Sequence, residues 1–261
     1  MRISILADNR NAQGKLDGAN AFSLLLTHNH KKYLFDMGLD DTFIKNASAL
    51  GENLDDISYA VISHGHYDHG DGLVYLNDKK VVVGKGIFTK RFSKRRNGVS
   101  SALSYGKEIK KKHKLIFVKK VKKLDKDIFV FKTNHRPFEF ENNNYPTYLS
   151  NKKDDIVKDE ISLVVKTEKG LVVISGCSHA GICNIVENAK KICKTNKILA
   201  VVGGFHLTNK IDRAEKVVLK LKELGVENCY TGHCISDECA SIICKHLPNT
   251  VILHSQLCFE I

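Results

Sequence analysis

Four side chains able to bind a metal ion fall within six positions of one stretch, SHGHYDHGDG (63–72): His64, His66, Asp68 and His69. The stretch follows an apolar run at 57–62 that reads as a buried strand. Alternate residues of an extended chain point the same way, so His64 and His66 can chelate one ion together. Asp68 and His69 come where the strand must give way to a turn, beside Gly65, Gly70 and Gly72. Glycines there let the backbone pass close to an ion without a Cβ in the way. A lone histidine would read as part of a solvated loop. Three histidines and an aspartate directly off an apolar strand read as a metal site.

The elements that must position this cluster follow from hydrophobic patterning. Strand-like runs lie at 2–6, 21–26 and 32–35, with Gly14 and Gly18 in the turns between them. Asp36 ends the third run in LFDMG, suited to capping a turn or to accepting a hydrogen bond from a ligating imidazole and so fixing its tautomer. Residues 40–51 read as a helix, with Phe43, Ile44, Ala47 and Leu50 on one stripe. Further strands are expected at 81–83, 115–118 and 128–131, and helices at 73–76 and 101–112. Residues 132–160 are turn-rich, and a long irregular section of this kind is expected to be a functional lid or loop.

From 161 the pattern is regular. Strands 161–166 and 171–175 flank a turn, and the second runs into GCSHAGICN with His179, then a helix at 182–193. Strand 198–202 ends in GGFHL with His206, before a helix at 212–224. Strand 228–230 ends in TGHC with His233, before a helix at 237–246, and strands at 251–253 and 257–260 follow. Four strand ends thus carry a glycine-flanked histidine. Ligands gather at the strand ends of layered α/β folds. His28, His30, His113, His135, His246 and His254 lack this context.

Composition bounds the rest. The chain has 261 residues, ordinary for a single large domain spanning 1–261, with a basic, irregular insert at about 85–160. No run of about 20 apolar residues marks a membrane span. The N-terminus is too polar for a secretion signal, and all eight cysteines fall in the last third, so reduced thiols in a cytoplasmic protein are expected. The net charge is +12, and residues 85–132 hold 17 Lys or Arg against three acids. Few aromatic residues interleave with them, which favours a solvated face over a nucleic-acid surface.

HGHYDHGDG matches the HxHxDH signature of the metallo-β-lactamase superfamily, and LFDMG, GCSHAGI and TGHC follow in the expected order. The chain resembles that superfamily over nearly its whole length. Within it, GCSHAGICN, GGFHL and TGHC resemble a group that includes dihydropterin ribofuranosylaminobenzene phosphate synthase and relatives described as metal-dependent hydrolases. The resemblance implies an α/β fold, the four-layer αββα sandwich, with two divalent metal ions at one edge. Zn²⁺ suits the donor set best, with Fe²⁺ or Mn²⁺ as alternatives. It implies His64, His66 and His179 around the first ion, Asp68, His69 and His233 around the second, and Asp36 behind a ligand.

The chain departs from the family at GGFHL, where a metal-bridging aspartate is usual; His206 is expected there as a ligand or a substrate-facing group. Cys177 reads as a buried thiol or a weaker ligand. The implied activity is hydrolysis of a small phosphoryl- or acyl-containing substrate by a metal-bound hydroxide. Asp68 would orient the water or take its proton, and His206 would polarise the substrate or protonate the leaving group. The alternatives are a synthase joining a dihydropterin to a ribofuranosylaminobenzene phosphate, with the basic segment holding a phosphate, a nuclease, and a non-catalytic sensor. A nuclease would bind single-stranded RNA with an affinity falling steeply between low and moderate salt. Fluorescence anisotropy at low salt is expected to show no binding.

Overall fold

A computed structural model describes residues 1–16, 20–142 and 146–261, so Gly18 and residues 143–145 of the irregular section lie outside the described residues. In chain order the first elements are β1 (Arg2–Ala7), β2 (Ser23–His28), β3 (Lys31–Phe35), α1 (Thr42–Ala49), β4 (Ile57–Ile62) and α2 (Tyr67–Gly70). They continue as β5 (Lys80–Gly84), β6 (Arg91–Ser93), α3 (Gly106–Lys112), β7 (Lys114–Val118), β8 (Val121–Lys123), β9 (Ile128–Phe131) and β10 (Thr147–Leu149). The last are β11 (Ser162–Lys166), β12 (Leu171–Ser175), α4 (Ile182–Cys193), β13 (Ile198–Gly203), α5 (Ile211–Glu223), β14 (Val226–Thr231), α6 (Asp237–His246), β15 (Thr250–Ile252) and β16 (Cys258–Glu260). They fall into two compact units: Met1–Phe117 with Tyr145–Asp159 and His254–Ile261, and Val118–Asn144 with Glu160–Leu253.

The first unit is built on a seven-stranded sheet ordered β16-β1-β2-β3-β4-β5-β7, beside a two-stranded sheet of β6 and β10. β1, β2 and β3 pair antiparallel, and β3, β4 and β5 pair parallel. The parallel register sets Phe35 opposite Val61 and Ile62 opposite Val83, so β3, β4 and β5 end together at one edge. Phe43 and Ala47 of α1 pack with Leu25, Leu34, Ala60, Ile62, Val81 and Val83 in one apolar cluster. The expected stripe of that helix is therefore its packing face, with Ile44 and Leu50 at the margin.

The second unit has a seven-stranded sheet ordered β15-β14-β13-β12-β11-β9-β8. β11 and β12 form the expected antiparallel hairpin, and β12, β13, β14 and β15 run parallel. Every side chain of β12 (LVVIS) and β13 (ILAVVG) is buried, which fits the continuous β-branched runs of parallel strands. Ala214, Val217, Val218 and Leu221 of α5 repeat at the spacing of one helix face and are all buried. The Ser236 side chain accepts the Cys239 N–H at the start of α6, whose first turn carries Asp237 and Glu238 and whose last carries Lys245 and His246. Both ends suit the helix dipole.

Ser175, Gly203 and Thr231 lie side by side at the ends of β12, β13 and β14. That alignment depends on Gly203: at φ +131° a Cβ would stand 1.9 Å from the Ser175 carbonyl oxygen. Gly225 also has a positive φ, +76°, but opens onto empty space. Gly203→Ala is expected to cost at least about 2 kcal/mol of stability and Gly225→Ala about 1 kcal/mol, measured by urea unfolding.

Candidate metal centre

In the first unit the parallel register of β3 and β4 sends Asp36 and Ser63 off the same sheet edge. Asp36 turns there at φ +56°, a left-handed conformation that costs a non-glycine residue and clusters at functional sites. Its fully buried carboxylate holds the loop that follows β4. Oδ1 accepts the Ser63 N–H at 2.7 Å. Oδ2 accepts the Ser63 hydroxyl at 2.7 Å and faces His69 Nδ1 at 2.7 Å. The backbone is tied in turn, with Met37 N–H donating to the His69 carbonyl and Phe22 N–H to that of Asp68.

These partners set the histidine tautomers. Against a carboxylate, His69 Nδ1 carries the proton, which leaves the Nε2 lone pair for a metal. The Ser63 hydroxyl already donates to Asp36, so its oxygen accepts from His64 Nδ1 at 2.8 Å, and His64 Nε2 is likewise left with its lone pair. His64 Nε2 lies 2.9 Å from His66 Nδ1. Two imidazole nitrogens sharing one zinc-class ion at about 2.0–2.1 Å each would stand about 3 Å apart. The His64 and His69 ring centroids are 4.2 Å apart, and Asp68 and His69 offer ligand atoms within 4.8 Å of one another. Asp68 and His69 sit on α2, a single helical turn rather than an open one. Burial pushes the Asp68 carboxyl above its usual range, Asp36 adds to this, and His69 opposes it.

In the second unit β12, β13 and β14 each leave the sheet through a left-handed residue: Ser178 at φ +55°, His206 at +51° and His233 at +51°. The turn at Ser178 closes with its hydroxyl on the Gly204 carbonyl at 2.7 Å. The two imidazoles of His179 and His206 come to 4.8 Å between ring centroids. His179 is buried and His206 is partly exposed. Cys177, His233 and Cys234 offer ligand atoms within 4.8 Å of one another. Cys234 Sγ also accepts the His206 N–H at 3.1 Å, joining the GGFHL and TGHC loops.

The structure thus places His64, His66, Asp68, His69 and Asp36 in one unit and His179, His206 and His233 in the other, where Cys177, His233 and Cys234 form a group that could hold a metal ion. Sequence reasoning missed Ser63, Cys234, Arg91, Asp159 and Glu160. The irregular section carries the last two, both buried, together with buried Asp155 and strand β10. Arg91, expected on the solvated basic face, is buried between Asp155 and Asp159. All eight cysteines are free thiols, as expected of reduced cysteines.

Two large mixed sheets, helices and imidazole-bearing loops at parallel strand ends define an α/β class, the αββα kind expected from the sequence. The chain belongs to the metallo-beta-lactamase superfamily, whose model matches residues 16–190. It is 35% identical over 215 residues to an uncharacterized protein, MJ0448, of Methanocaldococcus jannaschii, covering 80% of this chain and 81% of that one. It is 49% identical over 81 residues to the 7,8-dihydropterin-6-methyl-4-(beta-D-ribofuranosyl)-aminobenzene-5'-phosphate synthase of the same organism, covering 31% of this chain and 28% of that one. The crystal structure of Tm1679, described as a metal-dependent hydrolase of the beta-lactamase superfamily, matches with a TM-score of 0.86 at 31% identity, over 100% of this chain and 99% of that one. A diphosphatase of the PhnP family shares the fold at a TM-score of 0.57 and 13% identity, over 100% of this chain and 97% of that one.

Among the described residues no helix is long and apolar enough to cross a membrane. Replacing Asp36 tests the loop geometry. Asp36→Asn puts an amide N–H₂ where a carboxylate oxygen now accepts, so a buried donor loses its acceptor. The variant is expected to lose about 2–4 kcal/mol in urea unfolding, and to bind Zn²⁺ about 10- to 100-fold more weakly by competition with a chelator.

Proposed function

We propose that the chain is a metal-dependent hydrolase acting on a small phosphoryl- or acyl-containing substrate. The observation that carries this reading is the arrangement around Ser63: buried imidazoles, with Nδ1 of His64 and of His69 occupied by oxygen partners and a His64–His66 nitrogen pair 2.9 Å apart. That donor set fits a zinc-class ion, with Fe²⁺ or Mn²⁺ as alternatives. In the proposed assignment His64, His66 and His179 hold one ion, and Asp68, His69 and His233 hold another. Such ions would lower the pKa of a bound water to about 7, which would supply hydroxide at neutral pH.

The chain's own residues do the rest. Asp68, whose carboxyl burial makes a better proton acceptor than an ordinary surface aspartate, orients the attacking water and takes its proton. His206, partly exposed, faces the substrate and donates to the leaving group. Asp36 and Ser63 keep the His64 and His69 tautomers fixed through the cycle. Ser178 takes no part as a nucleophile: its hydroxyl is committed to the Gly204 carbonyl, and its sequence context is not a nucleophile elbow. The likeness to Tm1679 supports hydrolysis.

A second reading, a synthase joining a dihydropterin to a ribofuranosylaminobenzene phosphate, draws support from the 49% identity over 81 residues to such an enzyme. Zn²⁺-loaded protein is expected to hydrolyse bis-p-nitrophenyl phosphate or a p-nitrophenyl ester, with Asp68→Ala reducing kcat at least about 100-fold and a chelator abolishing turnover. Turnover that persists in Asp68→Ala would refute the assignment of Asp68. A joined product detected by mass spectrometry, with neither ester hydrolysed, would favour the synthase.

A further inference from the structure

Two acids that follow one another in the chain, Asp159 and Glu160, each hold a loop that carries proposed ligands. Asp159 Oδ2 accepts the Gly65 N–H, between His64 and His66, at 2.7 Å. Glu160 Oε1 accepts the His179 N–H at 2.6 Å, and Oε2 accepts the Ala180 N–H at 2.7 Å. Gly65 and His179 lie beyond the ends of β4 and β12, where no ladder partner serves their amides. Both acids are buried, 2% and 5% exposed. The first is anchored further. Asp159 Oδ1 accepts from Arg91 Nη2 at 2.7 Å, and Arg91 Nε lies 3.1 Å from Asp155 Oδ2. Gly84 lets this segment approach, since a Cβ there would stand 1.9 Å from the Asp159 carbonyl oxygen.

We propose that Asp159 and Glu160 are positioning residues that fix the 64–66 and 178–180 loops before any metal arrives, so that metal affinity and ligand geometry depend on them. Carboxylates are expensive to bury, and a merely structural plug would be met more cheaply by apolar side chains. These two aim their oxygens at peptide N–H groups that flank the imidazoles. Charge-assisted bonds of this kind are short and directional, so they set where each loop lies as well as that it is held. At 178–180 they act against the left-handed turn at Ser178, whose strain needs such a restraint. The proposal rests on the metal-site reading above.

The test uses the full chain with Co²⁺ as probe, comparing Asp159→Asn and Glu160→Gln with Asp154→Asn, an exposed acid paired with exposed Lys94. Co²⁺ titrations followed by d–d absorption are expected to show 10- to 100-fold weaker binding and a shifted band for the first two variants, with the control unchanged. Folded variants with wild-type Co²⁺ affinity and spectrum would overturn the proposal. Should neither variant fold, hydrogen exchange in the metal-free wild-type chain decides. Slow exchange at Gly65, His179 and Ala180, comparable to β4 and β12, supports preset loops, and fast exchange overturns them. Failure of the wild-type chain to take up Co²⁺ would instead refute the metal-site reading, and the exchange data would still show whether the two acids hold their loops.

Discussion

The buried carboxylate of Asp36 is the constraint on which the loop after β4 and its imidazoles depend. It serves the backbone N–H and hydroxyl of Ser63 and the Nδ1 of His69, all at 2.7 Å. A charge taken this far from solvent is tolerated only when its lone pairs are filled by good donors. In filling them the carboxylate spaces the loop after β4 and fixes the protons on two imidazoles at once, His69 directly and His64 through Ser63. The parallel register of β3 and β4 is what makes this possible, because it delivers residues 36 and 63 to the same edge.

The second unit solves the same problem with backbone rather than with one carboxylate. Three parallel strands end in register at Ser175, Gly203 and Thr231, and each turns away through a left-handed residue. Strain is repeated at Ser178, His206 and His233, and the surrounding bonds hold it there: the Ser178 hydroxyl on Gly204, the His206 amide on Cys234, and Glu160 on the His179 loop. Sulfur is also present in this unit, since Cys177 and Cys234 bring thiols within ligand range of His233. Imidazole and thiol donors together suit zinc-class ions better than hard cations such as Mg²⁺.

Much of this was legible in the sequence because it is local. β4, α4 and α6 run as their apolar periodicity and punctuation say, at Ile57–Ile62, Ile182–Cys193 and Asp237–His246. The histidines of the HxHxDH stretch, and those at three later strand ends, announce themselves by spacing and by the glycines beside them. What could not be read depends on partners far away in the chain. β6 and β10 are three residues each, and they exist because Arg91–Ser93 meets Thr147–Leu149. Arg91 looked like one more solvated cation until Asp155 and Asp159 were placed against it. Asp159 and Glu160 look like the polar edge of a loop. Their one local signal is that they stand immediately before a largely apolar run, as Asp36 stands immediately after the apolar end of β3.

The account stands or falls on metal. The most direct measurement is elemental analysis by inductively coupled plasma mass spectrometry of the full chain, purified anaerobically without chelator, alongside its intact native mass. The account predicts about two equivalents of a zinc-class transition metal per chain. Less than about half an equivalent of any such metal, from protein that is folded by circular dichroism, would contradict it.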